Sequence, residues 1–278
     1  MARSGAGISG NGRPSLPPGN GLAFLTVRDD NNPPQISLAG RVALVTGGSG
    51  GIGRATALAL SSAGVSVAIG YGANDAAAHE LAGQITAAGG RAAALSADLA
   101  SATEIARLTE EAEESFGHVD VLVSNAGSGK RQPLEAISVQ DFDASISVNL
   151  RAPFLLAQRL VPAMARRGFG RVLFLSSVAA FTGGVIGPHY AASKAGLHGL
   201  THSLAARFAD DGVTVNAIAP ALVTETGMLP GEPDELRQRV PVGRLGRPAE
   251  IADLALAVLR NPYLTNQVIS IDGGIYPR

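Results

Sequence analysis

From residue 41 onward the chain alternates short runs of consecutive apolar residues with longer stretches whose apolar positions recur every three or four residues. An unbroken apolar run suits a strand covered on both faces, and the three-to-four spacing suits a helix with one buried face. The runs predict strands at 41–45, 65–71, 91–96, 119–123, 171–175, 213–218 and 268–271. Between them, the periodicity predicts helices at 52–63, 76–88, 102–116, 139–167, 190–209 and 249–259. In the helix at 102–116, Ile105, Leu108, Ala112 and Phe116 fall on one face. Strands alternating with helices imply a parallel sheet with right-handed crossovers. The expected fold class is therefore α/β: a doubly wound parallel sheet of about seven strands in three α/β/α layers, forming a single domain.

Residues 1–37 break the pattern. Residues 1–20 are rich in Gly, Pro and Ser, and Asn31-Asn32-Pro33-Pro34 is a cluster of breakers. This stretch reads as a disordered tail, which leaves the domain at 38–278. Gly21 to Val27 is apolar but short, and no small-residue cleavage site follows it, so it does not read as a secretory signal.

Composition narrows the function classes. Apolar residues make up 46% of the 278, which is enough for a core on both faces of a sheet. The net charge is −1 and no basic stripe occurs, so no nucleic-acid partner is expected. There are no cysteines, which removes disulfides, thiolate nucleophiles and cysteine metal sites together. No apolar run approaches the roughly 18–20 residues that span a bilayer. The expectation is a cytoplasmic protein with no membrane partner.

The first strand runs into Thr46-Gly47-Gly48-Ser49-Gly50-Gly51-Ile52-Gly53, and a helix follows. A glycine-rich turn between the first strand and helix of a βαβ unit is the context of a dinucleotide-phosphate site. Gly47 permits the tight turn. Gly51 and Gly53 let the backbone approach a pyrophosphate and let the helix pack closely, and the helix amide end attracts the phosphates. The segment also spells G-x-S-x-G around Ser49, the pattern of a serine-hydrolase elbow. The additional Gly53 favours the nucleotide reading. The end of the second strand reads Ile69-Gly70-Tyr71-Gly72-Ala73-Asn74. It carries no acid for a ribose 2′-hydroxyl, and Asp75 comes too late along the chain. This favours NADP over NAD, although no local arginine supplies a clamp for the 2′-phosphate. Arg54 is the candidate.

Downstream motifs complete a set. Ser124-Asn125-Ala126-Gly127 follows the fourth strand, and Val148-Asn149-Leu150 lies in the long helical region. Ser176-Ser177 ends the fifth strand, and Tyr190-Ala-Ala-Ser-Lys194 opens a helix with Ser177 thirteen residues before Tyr190. With the glycine turn and Asp98, these residues resemble the short-chain dehydrogenase/reductase family over about residues 38–278. Gly243-Arg-Leu-Gly-Arg-Pro248 and Ile271-Asp272-Gly273-Gly274 agree with it. Two departures stand out. Ser124 replaces the first Asn of the family's NNAG, and Pro220-Ala221 replaces its PG. Thr224 and Thr226 bracket the expected nicotinamide-contacting threonine, as if one residue had been inserted.

The resemblance implies a Rossmann-type domain and an NAD(P)-dependent oxidoreductase that interconverts a carbonyl and a secondary alcohol. It implies a catalytic set of Asn149, Ser177, Tyr190 and Lys194. The implied cofactor contacts are Gly47, Ser49, Gly51, Ile52, Gly53, Tyr71, Asp98, Leu99, Asn125, Ala126, Gly127, Tyr190, Lys194, Pro220, Val223 and Thr224. Its members that reduce 3-oxoacyl thioesters suggest an acyl-thioester or small-molecule carbonyl substrate. It further implies a homotetramer built on the long helices, where Ala191, Ala195, Gly196 and Gly199 would permit close approach.

The residue types suit the chemistry. A free tyrosine titrates near about 10, and a cation one helical turn away, as Lys194 is from Tyr190, would lower that value. Ser177 could hold the substrate oxygen. By resemblance, Asn149 holds a water that continues a proton relay from Lys194. His198 and His202 have the spacing of a helical metal pair but lack an acid, so no metal is expected. Lys130 and Arg131 could meet an anionic substrate or carrier, or stand solvated. Met228, Leu229 and Pro230 form an apolar lid edge, with Glu232, Asp234 and Glu235 as an acidic rim. A sugar, polyol or steroid alcohol dehydrogenase remains open, as does a nucleotide-sensing or scaffold protein.

Overall fold

Val42 and Leu44 of β1 (Val42–Thr46) face one side of a sheet, Ala43 and Val45 face the other, and all four are buried. The alternation recurs in β5 (Gly170–Leu175), where Leu173 and Leu175 oppose Val172 and Phe174. An unbroken apolar run takes this form in a sheet covered on both sides. The structure, a computed structural model, describes residues 36–276. The tail read at 1–37 lies outside the described residues up to position 35. Of its last two residues, Ile36 donates its N–H to the Arg260 carbonyl at 3.1 Å.

The remaining strands are β2 (Ser66–Tyr71), β3 (Ala92–Ser96), β4 (Val121–Ser124), β6 (Val213–Pro220) and β7 (Val268–Ile271). All pairings are parallel, in the order β3-β2-β1-β4-β5-β6-β7. The helices are α1 (Gly51–Ser62), α2 (Asp75–Ala87), α3 (Ala102–Phe116), α4 (Val139–Ile146), α5 (Ala152–Arg166), α6 (Ala179–Thr182), α7 (Pro188–Phe208), α8 (Pro233–Arg237) and α9 (Pro248–Arg260). One core joins the sheet to α1, α2 and α9 through residues such as Leu60, Leu81 and Ile251. The other joins it to α3, α5 and α7 through Leu108, Leu156 and Leu197. These are the three layers expected. The winding reverses between β3 and β4, so a crevice opens beyond the C-terminal ends of β1 and β4. Doubly wound sheets bind ligands at that point.

The single helix expected at 139–167 is instead α4, a π-helical turn at Ser147–Arg151, and α5. Pro153 is the cause: it has no N–H for the carbonyl of Asn149, four residues back. The Ala152 N–H reaches five residues back, to Ser147. The wider turn falls on Asn149, and such π-turns recur at functional sites. The short helices α6 and α8 were not expected, because four or five residues carry too little periodicity to be recognised. Helix α4 starts at a capping box in which Ser138 and Asp141 bond each other's backbone N–H.

Candidate active site

The glycine turn is held in shape by the end of β4. Asn125 donates through Nδ2 to the carbonyls of Thr46 and Gly47, at 3.0 and 3.1 Å. The backbone N–H groups of Asn125 and Ala126 both donate to Thr46 Oγ1, each at 3.2 Å. Gly47 adopts a left-handed φ of 64°, and a Cβ there would stand 2.9 Å from Ala126 Cα. A Cβ on Gly53 would stand 2.2 Å from the Gly47 carbonyl oxygen, so α1 can rest on the turn only with glycine there. Gly50 caps α1 with no side-chain bond, and the first turn carries no acid. The amide end of α1 is therefore open to an anion.

A cleft of about 1440 Å³ runs across these strand ends. That exceeds the roughly 300–1,000 Å³ of a drug-sized ligand pocket and suits a dinucleotide together with a substrate. Of the expected cofactor residues, Gly47, Ser49, Gly51, Ile52, Tyr71, Asp98, Leu99, Asn125, Ala126, Gly127, Tyr190, Lys194, Pro220 and Val223 line it. Gly53 does not, because it lies beneath the turn. Thr224 does not either: its N–H and its hydroxyl both donate to the Gly246 carbonyl, at 2.9 and 3.2 Å. Thr226 lines the cleft in its place. The backbone of this loop is left-handed at Leu222 (φ 47°) and Glu225 (φ 58°). The Glu225 carbonyl then passes so close that a Cβ on Gly51 would meet it at 2.3 Å.

Arg54, the candidate for a phosphate clamp, does not line the cleft. Its guanidinium is turned to α2, 2.7 Å from Gln84 Oε1 and 3.2 Å from Glu80 Oε1.

Ser177, Tyr190 and Lys194 meet in the same cleft, with Asn149 buried behind them. Tyr190 is 4% exposed, and its hydroxyl shares a hydrogen bond with that of Ser177. Lys194 Nζ donates to the Leu175 carbonyl at 2.7 Å and lies 5.9 Å from the centre of the Tyr190 ring. The expectation that Lys194 lowers the tyrosine pKa is therefore corrected. Burial pushes the Tyr190 phenol up, and the Ser177 hydrogen bond offsets part of that rise. Lys194 is itself stripped of water, which brings its amine down to about 8.

Asn149 is a clamp. Its Oδ1 accepts from the Ser128 N–H at 2.8 Å, and its Nδ2 donates to the Ser128 carbonyl at 2.8 Å and to Ser193 Oγ at 2.9 Å. Ser193 Oγ donates in turn to the Tyr190 carbonyl at 2.7 Å. A Cβ on Gly127 would stand 3.0 Å from Lys194 Nζ and 3.3 Å from Asn149 Oδ1. Glycine thus keeps space open between those two groups.

Sequence reasoning gave no role to Ser128, Gly129, Ser176 or Ser193. A Cβ on Gly129 would meet the Tyr190 ring at 2.7 Å, so the loop after β4 can lie on that ring only as glycine. Ser176 Oγ donates to the Lys194 carbonyl at 3.1 Å and lies 2.8 Å from His198 Nε2. His202 Nδ1 lies 2.6 Å from Asn266 Oδ1. Both histidines of the pair considered for metal are thus engaged elsewhere. Val185, Ile186, Met228, Leu229, Leu236 and Ile275 give the substrate end apolar walls. Arg131 and Arg239 also line it, and Arg131 donates to the Pro230 carbonyl at 3.1 Å. Among the described residues, no helix is long and apolar enough to cross a membrane.

The family model described as short chain dehydrogenase matches residues 41–236. A 3-oxoacyl-[acyl-carrier-protein] reductase of Synechocystis sp. is 37% identical over 244 residues, covering 86% of this chain and 98% of that one. A hydroxynaphthalene reductase-like protein of Metarhizium anisopliae is 38% identical over 261 residues, covering 86% and 96%. Among solved structures, a blue fluorescent protein from a metagenomic library, in complex with NADPH, superposes with a TM-score of 0.82. It is 34% identical, and the match covers 87% of this chain and all of that one.

Proposed function

This chain belongs to the short-chain dehydrogenase family and is an NAD(P)-dependent oxidoreductase, and from that premise we propose that it reduces a 3-oxoacyl thioester to the secondary alcohol with NADPH as preferred cofactor. The carrying observation is the buried Tyr190 hydroxyl, hydrogen-bonded to Ser177 in the cleft that begins at the glycine turn.

The residues present fit a dinucleotide. The turn has no room for a Cβ at Gly47 or Gly53, and the amide end of α1 is uncapped by any side chain. When bound, the reduced nicotinamide supplies a hydride to the carbonyl carbon. Tyr190 donates its proton to the carbonyl oxygen, and Ser177 holds that oxygen in place. Burial raises the Tyr190 pKa, so the phenol stays protonated at neutral pH, which is the form an acid needs for reduction. The same burial opposes the phenolate that oxidation requires. Lys194 returns the proton from the interior side. The space beside Gly127, between Lys194 and Asn149, is where a water would continue the relay.

The NADP preference draws support from the strand end after β2, which has no acid, and from the neighbour solved with NADPH. The thioester reading draws on the named Synechocystis relative, the apolar walls, and Arg131 and Arg239 for an anionic group. A cytoplasmic location is part of the same proposal. The assembly we propose is a homotetramer formed along the long helices. Val139, Phe142 and Phe154 are exposed there and support the reading. Gly196 packs on Leu150 of the same chain, where a Cβ would stand 2.6 Å from Leu150 Cδ2. Light scattering checks the mass.

The deciding experiment follows NADPH absorbance with an acetoacetyl thioester beside a panel of aryl, sugar and steroid ketones. Turnover should be fastest with the thioester. Tyr190→Phe should abolish it while leaving nucleotide affinity nearly intact. Persistent activity in that variant would refute the mechanism, and faster reduction of another ketone would refute the substrate class.

A further inference from the structure

The turn after β7 reaches the cleft, and it is locked in place. Asp272 Oδ1 accepts from the Gly274 N–H at 2.9 Å, and Asp272 Oδ2 accepts from the Tyr276 N–H at 3.0 Å. Gly273 and Gly274 are left-handed, with φ of 65° and 88°. A Cβ on Gly273 would stand 2.5 Å from Val240 Cγ1, and one on Gly274 would stand 3.3 Å from Pro241 Cβ. The turn therefore dovetails with the loop after α8. Just past it, the Tyr276 ring stacks on Phe181 of α6, with centroids 5.5 Å apart and planes 4° from parallel. Ile275 lies between these anchors. It lines the cleft and also packs against the cluster of Leu236, Val240 and Leu245. With both neighbours held, its side chain has a fixed place in the wall, backed by packed apolar residues.

The sheet order gives that wall a direction. Ser177, which holds the carbonyl oxygen, follows β5. On one side of β5 lies β4, and Arg131 comes from the loop after it. On the other side lie β6 and then β7, which Ile275 follows. The two groups on a carbonyl carbon point apart. In a 3-oxoacyl thioester one is the thioester arm, which carries the anionic group, and the other is an alkyl chain. Arg131 suits the first, and the apolar wall after β7 suits the second. Arg239, next to Val240, is exposed, so its charge stays in water.

We propose that Ile275 is the stop for the alkyl arm and sets how long a chain beyond the carbonyl the enzyme accepts. The proposal rests on the 3-oxoacyl thioester reading and adds chain length to it. Alanine at this position removes most of the side chain, and the space it opens is lined by apolar residues and stays dry. About two or three further methylenes fill that space, and each buried methylene is worth about fourfold in affinity. Phenylalanine does the opposite, because it occupies room that the chain needs.

The test compares kcat/KM for the acetoacetyl and 3-oxooctanoyl thioesters of N-acetylcysteamine, with NADPH and the full chain. Ile275→Ala should raise the ratio of the longer to the shorter substrate about tenfold, and Ile275→Phe should lower it by a similar factor. Leu245→Ala is the control. Leu245 belongs to the same cluster but does not line the cleft, so its loss loosens the lid without opening the arm. Thermal melts check that all three variants fold. A ratio that moves less than about twofold in either Ile275 variant, or in the opposite sense, overturns the stop. An equal shift in Leu245→Ala overturns it too, because the lid and not Ile275 would then set the length. A wild-type chain that reduces other ketones but neither thioester overturns the thioester reading instead.

Discussion

Replacing Lys194 by methionine should make the protein more stable at neutral pH while destroying its activity. Lys194 is 3% exposed, and burial alone brings its amine from 10.5 to about 8. Below pH 8 the folded chain must carry an ammonium that has lost its water, whereas the unfolded chain carries a hydrated one. A pKa depressed from 10.5 to about 8 therefore costs roughly 3 kcal/mol at pH 7. The sign follows from proton counting. Between about pH 8 and 10.5 the unfolded state binds more protons, so wild-type stability rises with pH across that window. Methionine fills a similar volume without the charge. It forfeits the 2.7 Å bond to the Leu175 carbonyl, worth about 1 kcal/mol. The net gain is about 2 kcal/mol at pH 7, or roughly 4–8 °C in Tm for a domain of this size. Denaturant unfolding of both proteins at pH 7 and at pH 10 measures it. The advantage of Lys194→Met should have vanished by pH 10. A destabilised variant at pH 7, or an equal gain at both pH values, would refute the reasoning.

Three further outcomes follow from the geometry. Gly53→Ala forces a Cβ to within 2.2 Å of the Gly47 carbonyl, so titration should show dinucleotide affinity falling at least about tenfold, with stability down about 1–3 kcal/mol. Thr46→Val leaves the half-buried Ala126 N–H without its acceptor, while the Asn125 N–H keeps the Val123 carbonyl at 3.1 Å, and should lower stability by about 1–2 kcal/mol in a denaturant melt. Tyr276 stacks on Phe181 at 5.5 Å, Phe181 meets His198 at 4.6 Å, and His198 bonds Ser176 beside the catalytic strand end. Tyr276→Ala should therefore raise KM several-fold in steady-state assays, while Tyr276→Phe, which keeps the stack, should behave as wild type.

Much of the site was legible in the chain itself. Short consecutive apolar runs alternating with longer periodic segments suit strands covered on both faces, so the strand count and the parallel winding were readable from local pattern. The glycine turn is equally local, since Gly47 and Gly53 stand where a Cβ has no room. Ser177, Tyr190 and Lys194 were recognisable because their spacing is set by one strand end and one helix.

Contacts that depend on how elements pack were not legible. Asp75 looked too distant along the chain, yet one turn of α2 returns it to Tyr71. Arg54 looked free to meet a phosphate, yet α2 packs beside it and takes its charge. Thr224 looked aimed at the cleft, yet the loop's left-handed residues turn it to Gly246. The tyrosine's acidity was misjudged for a related reason. Spacing places Lys194 one turn from Tyr190, but only the tertiary structure removes the water from both and carries the amine to the Leu175 carbonyl. Sequence determines which residues are near neighbours along an element. The packing of elements decides which charges lose their solvent, and that loss sets the chemistry.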